Sequence, residues 1–131
     1  MSAEFKNKNV LIVDDSIVRG TTSKEIVQMA KDAGANKVFF TSAAPPVRYP
    51  HVYGINMPNK DELIAHDRTI SDIAAQLEID NLVYQSVENL QKSILTDSPI
   101  ENLEMSCFTG TYVTGTVNQE YLNWVENEYK S

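Results

Sequence analysis

Residues 10–22 of the 131-residue chain read VLIVDDSIVRGTT, an apolar run followed by an acidic pair and a polar turn that contains glycine. A continuous apolar run of this kind is typical of a parallel strand that is buried on both faces. Thr22 and Glu25 have the spacing of a capping box and predict the first turn of a helix. The apolar face of this helix is predicted to comprise Ile26, Met29, Ala30 and Ala33.

The next residues complete a strand–helix–strand unit. Gly34 stands where a helix end favours a left-handed residue, and residues 37–44 (KVFFTSAA) form a second apolar run. Two strands joined by a helix are the crossover unit of a parallel sheet, so the predicted fold class is α/β. Thr69 and Asp72 predict the start of a second helix, with an apolar face made of Ile70, Ile73, Ala74 and Leu77. The other predicted elements are a proline-rich loop at 45–58 with an extended piece at 52–53, helical turns at 61–66, a strand at 82–84, a helix at 87–95, extended segments at 105–108 and 111–113, and a final helix at 119–129.

Length and composition indicate one small globular domain, with 42% hydrophobic and 22% charged residues. The chain carries 18 acidic and 11 basic residues, and the resulting charge of −7 argues against nucleic acid as a partner. No apolar run is long enough to span a membrane and no signal peptide is visible, so we expect a cytoplasmic protein with no membrane partner. The single cysteine, Cys107, cannot by itself supply a disulfide or a Cys-rich zinc or iron–sulfur site.

The candidate site lies in the turn between the first strand and the first helix. Open α/β sheets place ligands at the carboxyl ends of their strands. A glycine there lets the backbone approach a ligand, while exposed N–H groups, hydroxyls and a guanidinium suit phosphate oxygens. Carboxylates would repel a phosphate, so the acidic pair is expected to address sugar hydroxyls or Mg²⁺. The candidate binding residues are Asp14, Asp15, Ser16, Arg19, Gly20, Thr21 and Thr22, with Asp14 and Asp15 as candidate metal ligands.

Response-regulator receiver domains share part of this pattern. They also begin with an apolar strand that ends in an acidic pair, and residues 55–63 (INMPNKDEL) resemble the segment that follows a receiver's phosphoacceptor. The acceptor aspartate should stand three residues before Met57, but that residue is Gly54, and no Lys-Pro dipeptide follows later. The chain is therefore not predicted to be an active receiver, and a degenerate receiver-like interaction domain stays an alternative.

The full stretch at 10–22 resembles the phosphoribosyl-pyrophosphate (PRPP) signature of type I phosphoribosyltransferases. Its specific form is similar to that of the glutamine PRPP amidotransferases, also called amidophosphoribosyltransferases. Further stretches resemble the same family: SAAPPVRYPHVYGINMP at 42–58, ELIAH at 62–66 and FTGTYVTG at 108–115. The resemblance covers nearly the whole chain and implies a parallel sheet of the type I phosphoribosyltransferase (Rossmann-like) kind, in an incomplete form.

The resemblance implies a reaction and a set of binding residues. The family converts PRPP and glutamine, or ammonia, to 5-phosphoribosylamine, pyrophosphate and glutamate in the first step of purine synthesis. It implies that Asp14 and Asp15 approach the ribose hydroxyls and Mg²⁺, and that residues 16–22 hold the 5′-phosphate. No residue of the chain is expected to act as a general base, since ammonia is already nucleophilic. The family's inhibition by purine nucleotides makes Arg48 and Tyr49 candidate contacts with substrate or effector, or else braces of their loop.

The chain is much shorter than the enzymes it resembles, which carry a glutaminase domain at the amino terminus. We therefore expect residues 1–131 to be the C-terminal portion of a phosphoribosyltransferase domain, without the glutaminase domain and with little activity alone. Cys107 is expected to be a small semi-buried residue, since nothing in the sequence places His51 or His66 near it. A sheet without further strands would leave an open edge and an apolar face, so a homo-oligomer is expected. A stand-alone module that senses PRPP or purine nucleotides is the other alternative.

Overall fold

The computed structural model describes residues 2–55, 57 and 59–130, so Asn56 and Pro58 of the predicted proline-rich loop lie outside the described residues. Three parallel strands form one sheet, and helices precede, connect and follow them. The elements in chain order are α1 (Ser2–Phe5), β1 (Asn9–Asp14), α2 (Thr21–Asp32), β2 (Lys37–Ser42), a 3-10 turn (Lys60–Glu62), α3 (Ile70–Leu77), β3 (Asn81–Tyr84), α4 (Val87–Leu95), α5 (Ser106–Thr109) and α6 (Gln119–Lys130).

The sheet has the strand order β1-β2-β3, and both strand pairs are parallel. The register places Asp14 opposite Ser42 at the carboxyl ends of β1 and β2. Phe40, in the centre of β2, lies opposite Leu82 of β3. These strands confirm the predicted α/β class with its incomplete parallel sheet.

One face of the sheet carries the main core. Val38, Phe40 and Leu82 lie on this face and are at most 5% exposed. Helices α2 and α3 contact each other and the sheet, and they contribute buried side chains such as Val27 and Ile73 to the same cluster. Burial of this apolar surface is the main stabilising term of the fold.

The opposite face of the sheet is open, which corrects the prediction that β1 is buried on both faces. Leu11 and Val13 are 62% and 70% exposed, and Val83 of β3 is 54% exposed. The register places Val13 and Val83 on either side of Thr41, so these side chains share a face. β1 does form at the predicted apolar run. Among the described residues, however, the sheet is covered on one face only, the face that packs against α2 and α3.

Helix α2 begins two residues earlier than the capping pattern predicts, with Gly20 and not Thr22 as its N-cap. Gly20 makes no side-chain hydrogen bond, so the Thr22–Glu25 capping box does not form. The buried face also differs from the prediction: Ser23, Val27 and Ala30 are buried, whereas Met29 is 65% exposed. Of the predicted apolar face only Ala30 is buried. Gly34 adopts a φ of +88°, as expected for the residue after a helix end.

The capping box of α3 is confirmed. The Asp72 N–H donates to Thr69 Oγ1 (3.1 Å), and the Asp72 carboxylate accepts from the Thr69 N–H (3.0 Å) and hydroxyl (2.7 Å). These hydrogen bonds from Thr69 hold the pKa of Asp72 below its usual value of 3.8. Ile73 and Leu77 are buried as predicted, while Ile70 at the first turn is 42% exposed.

The second half of the chain departs most from prediction. Residues 105–108 do not form the predicted extended segment but contribute to helix α5, which ends at Gly110 with a φ of +73°. Residues 52–53 and 111–113 lie outside the strands, and the helical turns expected at 61–66 reduce to the 3-10 turn. Helix α4 spans 87–95 as predicted, and α6 spans Gln119–Lys130. No helix in the described part of the chain is long and apolar enough to cross a membrane.

Candidate functional site

The acidic pair lies where the sequence predicts it, at the carboxyl end of β1. Asp14 is the last residue of the strand and is half-buried, while Asp15 is exposed. Asp14 Oδ1 accepts a hydrogen bond from the Asp15 N–H at 2.9 Å, and the Ser16 hydroxyl donates to Asp15 Oδ1 at 3.3 Å. The two carboxylates are therefore adjacent and oriented by local hydrogen bonds at the entrance to the strand-to-helix loop.

All seven predicted site residues line one cavity of about 340 Å³. The cavity lies over the strand-to-helix loop, here called the signature loop and defined as residues 15–20, and over the first turn of α2. Its lining residues are Asp14, Asp15, Ser16, Val18, Arg19, Gly20, Thr21, Thr22 and Ser23. The fold thus places the two carboxylates and both threonines around one space.

Gly20 has the conformation on which the shape of the signature loop depends. Its φ is +80°, in the left-handed region that side chains rarely adopt. A Cβ at this position would lie only 2.4 Å from Ile64 Cδ1. The backbone conformation therefore favours glycine, and any larger residue would also have to displace the terminal methyl group of Ile64.

The first turn of α2 offers N–H groups to the cavity. The first N–H groups of any helix have no intrahelical acceptor, and Gly20 supplies no capping side chain. The helical hydrogen bonds begin with the Lys24 N–H, which donates to the Gly20 carbonyl at 2.9 Å. Thr21 and Thr22 are exposed, so their hydroxyls are accessible beside these N–H groups. This arrangement can accept an anion, as helix N-termini commonly do.

Arg19 and the carboxylates set the charge of the cavity. Arg19 Nη2 lies 3.5 Å from Glu62 Oε2, and both side chains are about half exposed, so the pair is weak and solvent-screened. Among the described residues, no three His, Cys, Asp or Glu side chains are grouped to hold a metal ion. Mg²⁺ is commonly bound by one or two carboxylates together with substrate phosphates and waters, so Asp14 and Asp15 could ligate it when a phosphorylated ligand is present.

The signature loop rests on residues that no sequence pattern predicts. Ile17 is 1% exposed and anchors the loop in the main core. The Ile64 N–H donates to the Val18 carbonyl at 3.0 Å, and Ile64 itself is 6% exposed. Residues 62–66 carry a family-like motif, but no pattern in it signals contact with a loop so far away in the chain.

Arg48 braces the loop behind the site. Its Nη1 donates to the carbonyls of Ala65 (2.7 Å) and Arg68 (2.8 Å), and its own carbonyl accepts from His66 Nδ1 at 2.8 Å. Tyr49 also has a packing contact, since a Cβ on Gly110 would meet its ring at 2.9 Å. The geometry therefore supports bracing as the role of Arg48. A separate cavity of about 290 Å³ is lined by Arg48, Tyr49, His66, Asp67, Arg68 and Thr69.

Cys107 is a buried packing residue in α5. It is 8% exposed, and burial is the main cause that raises the pKa of its thiol. His51 Nε2 lies 3.1 Å from Glu104 Oε2, and His51 Nδ1 accepts from the Tyr53 N–H at 3.2 Å. A raised pKa lowers the thiolate fraction, so the geometry gives no sign of an activated nucleophile at Cys107.

Comparison with known sequences identifies relatives of the chain. No protein-family model matches it. It is 51% identical over 129 residues to the amidophosphoribosyltransferase of Haemophilus influenzae, covering 98% of this chain and 26% of that protein. The enzyme of Saccharomyces cerevisiae is 51% identical over 131 residues, covering 100% of this chain and 25% of that protein. The chain thus spans about a quarter of the length of the curated relatives it matches.

Solved structures agree with the sequence relatives. The glutamine PRPP amidotransferase from B. subtilis, complexed with ADP and GMP, has a TM-score of 0.80 at 38% identity and matches 91% of this chain and 27% of its own. A structure described as the allosteric regulatory enzyme of purine biosynthesis has a TM-score of 0.82 at 38% identity and matches 96% of this chain and 28% of its own. The expected type I phosphoribosyltransferase architecture is confirmed. The chain is therefore homologous, over nearly all of its length, to about a quarter of an amidophosphoribosyltransferase.

Proposed function

We propose that the chain is the part of an amidophosphoribosyltransferase that binds PRPP, in the C-terminal portion of the phosphoribosyltransferase domain. One observation carries the proposal: the seven residues of the predicted PRPP signature line a single cavity. The homology to amidophosphoribosyltransferases supports the same ligand. The reaction to which this site contributes is the displacement of pyrophosphate from PRPP by ammonia, the committing step of purine synthesis.

Each half of the cavity suits one part of PRPP. The free N–H groups at the start of α2, with the hydroxyls of Thr21 and Thr22, would hold the 5′-phosphate. Asp14 and Asp15 would accept hydrogen bonds from the ribose hydroxyls and ligate Mg²⁺. When bound, Mg²⁺ would neutralise charge on the pyrophosphate leaving group. The contribution of the chain's own residues is to fix the sugar so that ammonia meets one face of the anomeric carbon.

Most of the length of the relatives lies outside the match, so we propose that this polypeptide binds PRPP but turns it over slowly on its own. Ammonia needs no activation by a general base. The lining of the cavity accordingly contains no histidine, cysteine or lysine that could act as one. Purine nucleotides are proposed as further ligands, because the B. subtilis structure was solved with ADP and GMP. The cytoplasm is the proposed location, in keeping with a role in nucleotide synthesis.

Calorimetric titration with PRPP, in the presence and absence of Mg²⁺, tests the proposed function. We expect saturable one-to-one binding that is tighter with Mg²⁺, because the acidic pair would otherwise repel the pyrophosphate. Inorganic pyrophosphate is the control ligand, since it lacks the ribose and 5′-phosphate that the cavity is proposed to recognise. Absence of heat with PRPP, or equal binding of PRPP and pyrophosphate, would contradict the proposal.

We further propose that the chain forms homo-oligomers through its open sheet face. Leu11, Val13 and Val83 are more than half exposed on this face. β1 pairs only with β2 in the described residues, which leaves one of its edges free. Exposed apolar faces and free strand edges both favour association.

Sedimentation velocity should show a dimer or larger species, and Val13→Lys should shift this species to the monomer. A wild-type monomer at high concentration would exclude association through this face.

A further inference from the structure

We propose that Ile64 is a positioning residue for the signature loop, holding Gly20 in the conformation that presents the α2 N–H groups to the ligand. This inference rests on the proposed function, because the ligand concerned is the 5′-phosphate of PRPP. Ile64 lines no part of the 340 Å³ cavity. It would therefore act through the loop and would not touch the ligand.

Ile64 contacts the signature loop at two points. Its N–H donates to the Val18 carbonyl at 3.0 Å. Its Cδ1 would lie 2.4 Å from a Cβ built on Gly20, so the Ile64 methyl packs directly against the glycine backbone. One residue thus fixes the loop both before and at the glycine. Gly20 has many accessible conformations by itself, and this contact limits them.

Two arginines hold the backbone of the segment that contains Ile64. Arg68 Nη1 donates to the Ile64 carbonyl at 3.1 Å. Arg48 Nη1 donates to the carbonyls of Ala65 and Arg68 at 2.7 and 2.8 Å. Hydrogen bonds from a charged guanidinium are stronger than neutral ones. The segment 63–68 is therefore a rigid support, and Ile64 transmits its position to the loop.

In this arrangement the loop is already ordered before the ligand binds, so binding does not have to supply the free energy of ordering it. A binding loop that populates its competent conformation only part of the time has a proportionally weaker apparent affinity. Gly20 immediately precedes Thr21 and Thr22, so any change in its dihedral angles redirects the first N–H groups of α2. We infer that the Ile64 Cδ1 methyl keeps the loop in its competent state.

The test compares Ile64→Val with Ile73→Val. Each substitution deletes one methyl from a buried isoleucine of the same core cluster, but only the first removes the atom nearest Gly20. If the loop without this methyl is competent about one fifth of the time, the apparent Kd for PRPP with Mg²⁺ rises about fivefold. Ile73→Val should leave the Kd unchanged. Equal affinities of the two variants would overturn the inference.

Amide hydrogen exchange in the absence of ligand separates this inference from the proposed function. In Ile64→Val the hydrogen-bonded amides of Lys24 and of position 64 should exchange faster, and the amides of Gly20, Thr21 and Thr22 should change their chemical shifts, whereas in Ile73→Val all of them should match wild type. If PRPP fails to bind the wild-type chain, the proposed function is wrong while the exchange data still decide the role of Ile64. Unchanged loop amides in Ile64→Val would exclude a positioning role even if PRPP binds.

Discussion

Gly20→Ala is expected to lower the free energy of unfolding by about 2–5 kcal/mol, a large effect for adding one methyl group. An alanine at a φ of +80° costs about 1–2 kcal/mol in backbone strain. The new Cβ would also lie 2.4 Å from Ile64 Cδ1, and overpacking of this kind costs about 1–3 kcal/mol. Chemical denaturation followed by circular dichroism measures the change.

Two further variants separate the two causes of that loss. Gly54 has a φ of +96°, and a Cβ added there would meet no atom within 4 Å, so Gly54→Ala isolates the backbone strain. Deleting Cδ1 relieves the clash, because the next Ile64 atoms lie 3.4 Å away. Gly20→Ala should therefore cost less in an Ile64→Val background than in wild type. If Gly20→Ala destabilised the protein no more than Gly54→Ala does, or if its cost were the same in the Ile64→Val background as in wild type, a steric clash between the new Cβ and Ile64 Cδ1 would be excluded.

Replacing both carboxylates, with Asp14→Asn and Asp15→Asn together, should remove most of the Mg²⁺-dependent gain in PRPP affinity. Asparagine keeps the shape and the Oδ1 acceptors used by the Asp15 N–H and the Ser16 hydroxyl, so the loop should keep its conformation. Charged hydrogen bonds contribute about 1.5–3 kcal/mol, and a loss of about 2 kcal/mol weakens binding about thirtyfold. Calorimetric titration with PRPP at saturating Mg²⁺ measures the effect.

Asp97→Asn is a control for the removal of an exposed carboxylate outside the cavity. Asp97 is exposed, lies outside the cavity and has a φ of +55°, a conformation that asparagine tolerates well. It should bind PRPP as the wild type does. If the double variant retains the full response to Mg²⁺, the acidic pair has another role and the proposed assignment of the carboxylates fails.

The parts of the fold that local sequence patterns determine were predictable. The Thr69–Asp72 capping box forms because both partners lie within one helical turn, and helix α4 occupies the predicted residues 87–95. The strand–helix–strand order of the first half follows from apolar runs separated by an amphipathic segment. These elements depend on neighbours in the sequence, which a pattern can show.

Tertiary packing determines the features that the patterns miss. Met29 and Ile70 belong to the predicted apolar faces but are exposed, because the face that each helix buries depends on how the helix packs against the sheet. An apolar run cannot reveal whether a strand is covered on one face or on two, and β1 is covered on one. Residues 105–108 have weak propensity, and the left-handed turn at Gly110 favours a helix end there.

The candidate site also has one part that sequence patterns predict and another part that they miss. The seven signature residues are close in sequence, so their meeting in one cavity was predictable from a strand-to-helix turn. Ile64 reaches the loop from a distant segment through a backbone hydrogen bond. Arg48 contacts the supporting segment 63–68 through hydrogen bonds from its guanidinium group to backbone carbonyls. Neither contact leaves a periodic or charge pattern in the sequence, so only the structure reveals the support beneath the loop.

The dependence of the signature loop on a later segment has a consequence for the order of assembly. Strand order in the sheet equals chain order, so β1, α2 and β2 can dock as the polypeptide emerges from the ribosome. The support at residues 63–68 follows only after the proline-rich stretch has been synthesised. A nascent chain would therefore hold its acidic pair in place while the glycine turn still samples many shapes, and ligand affinity would mature only after residues 63–68 have docked.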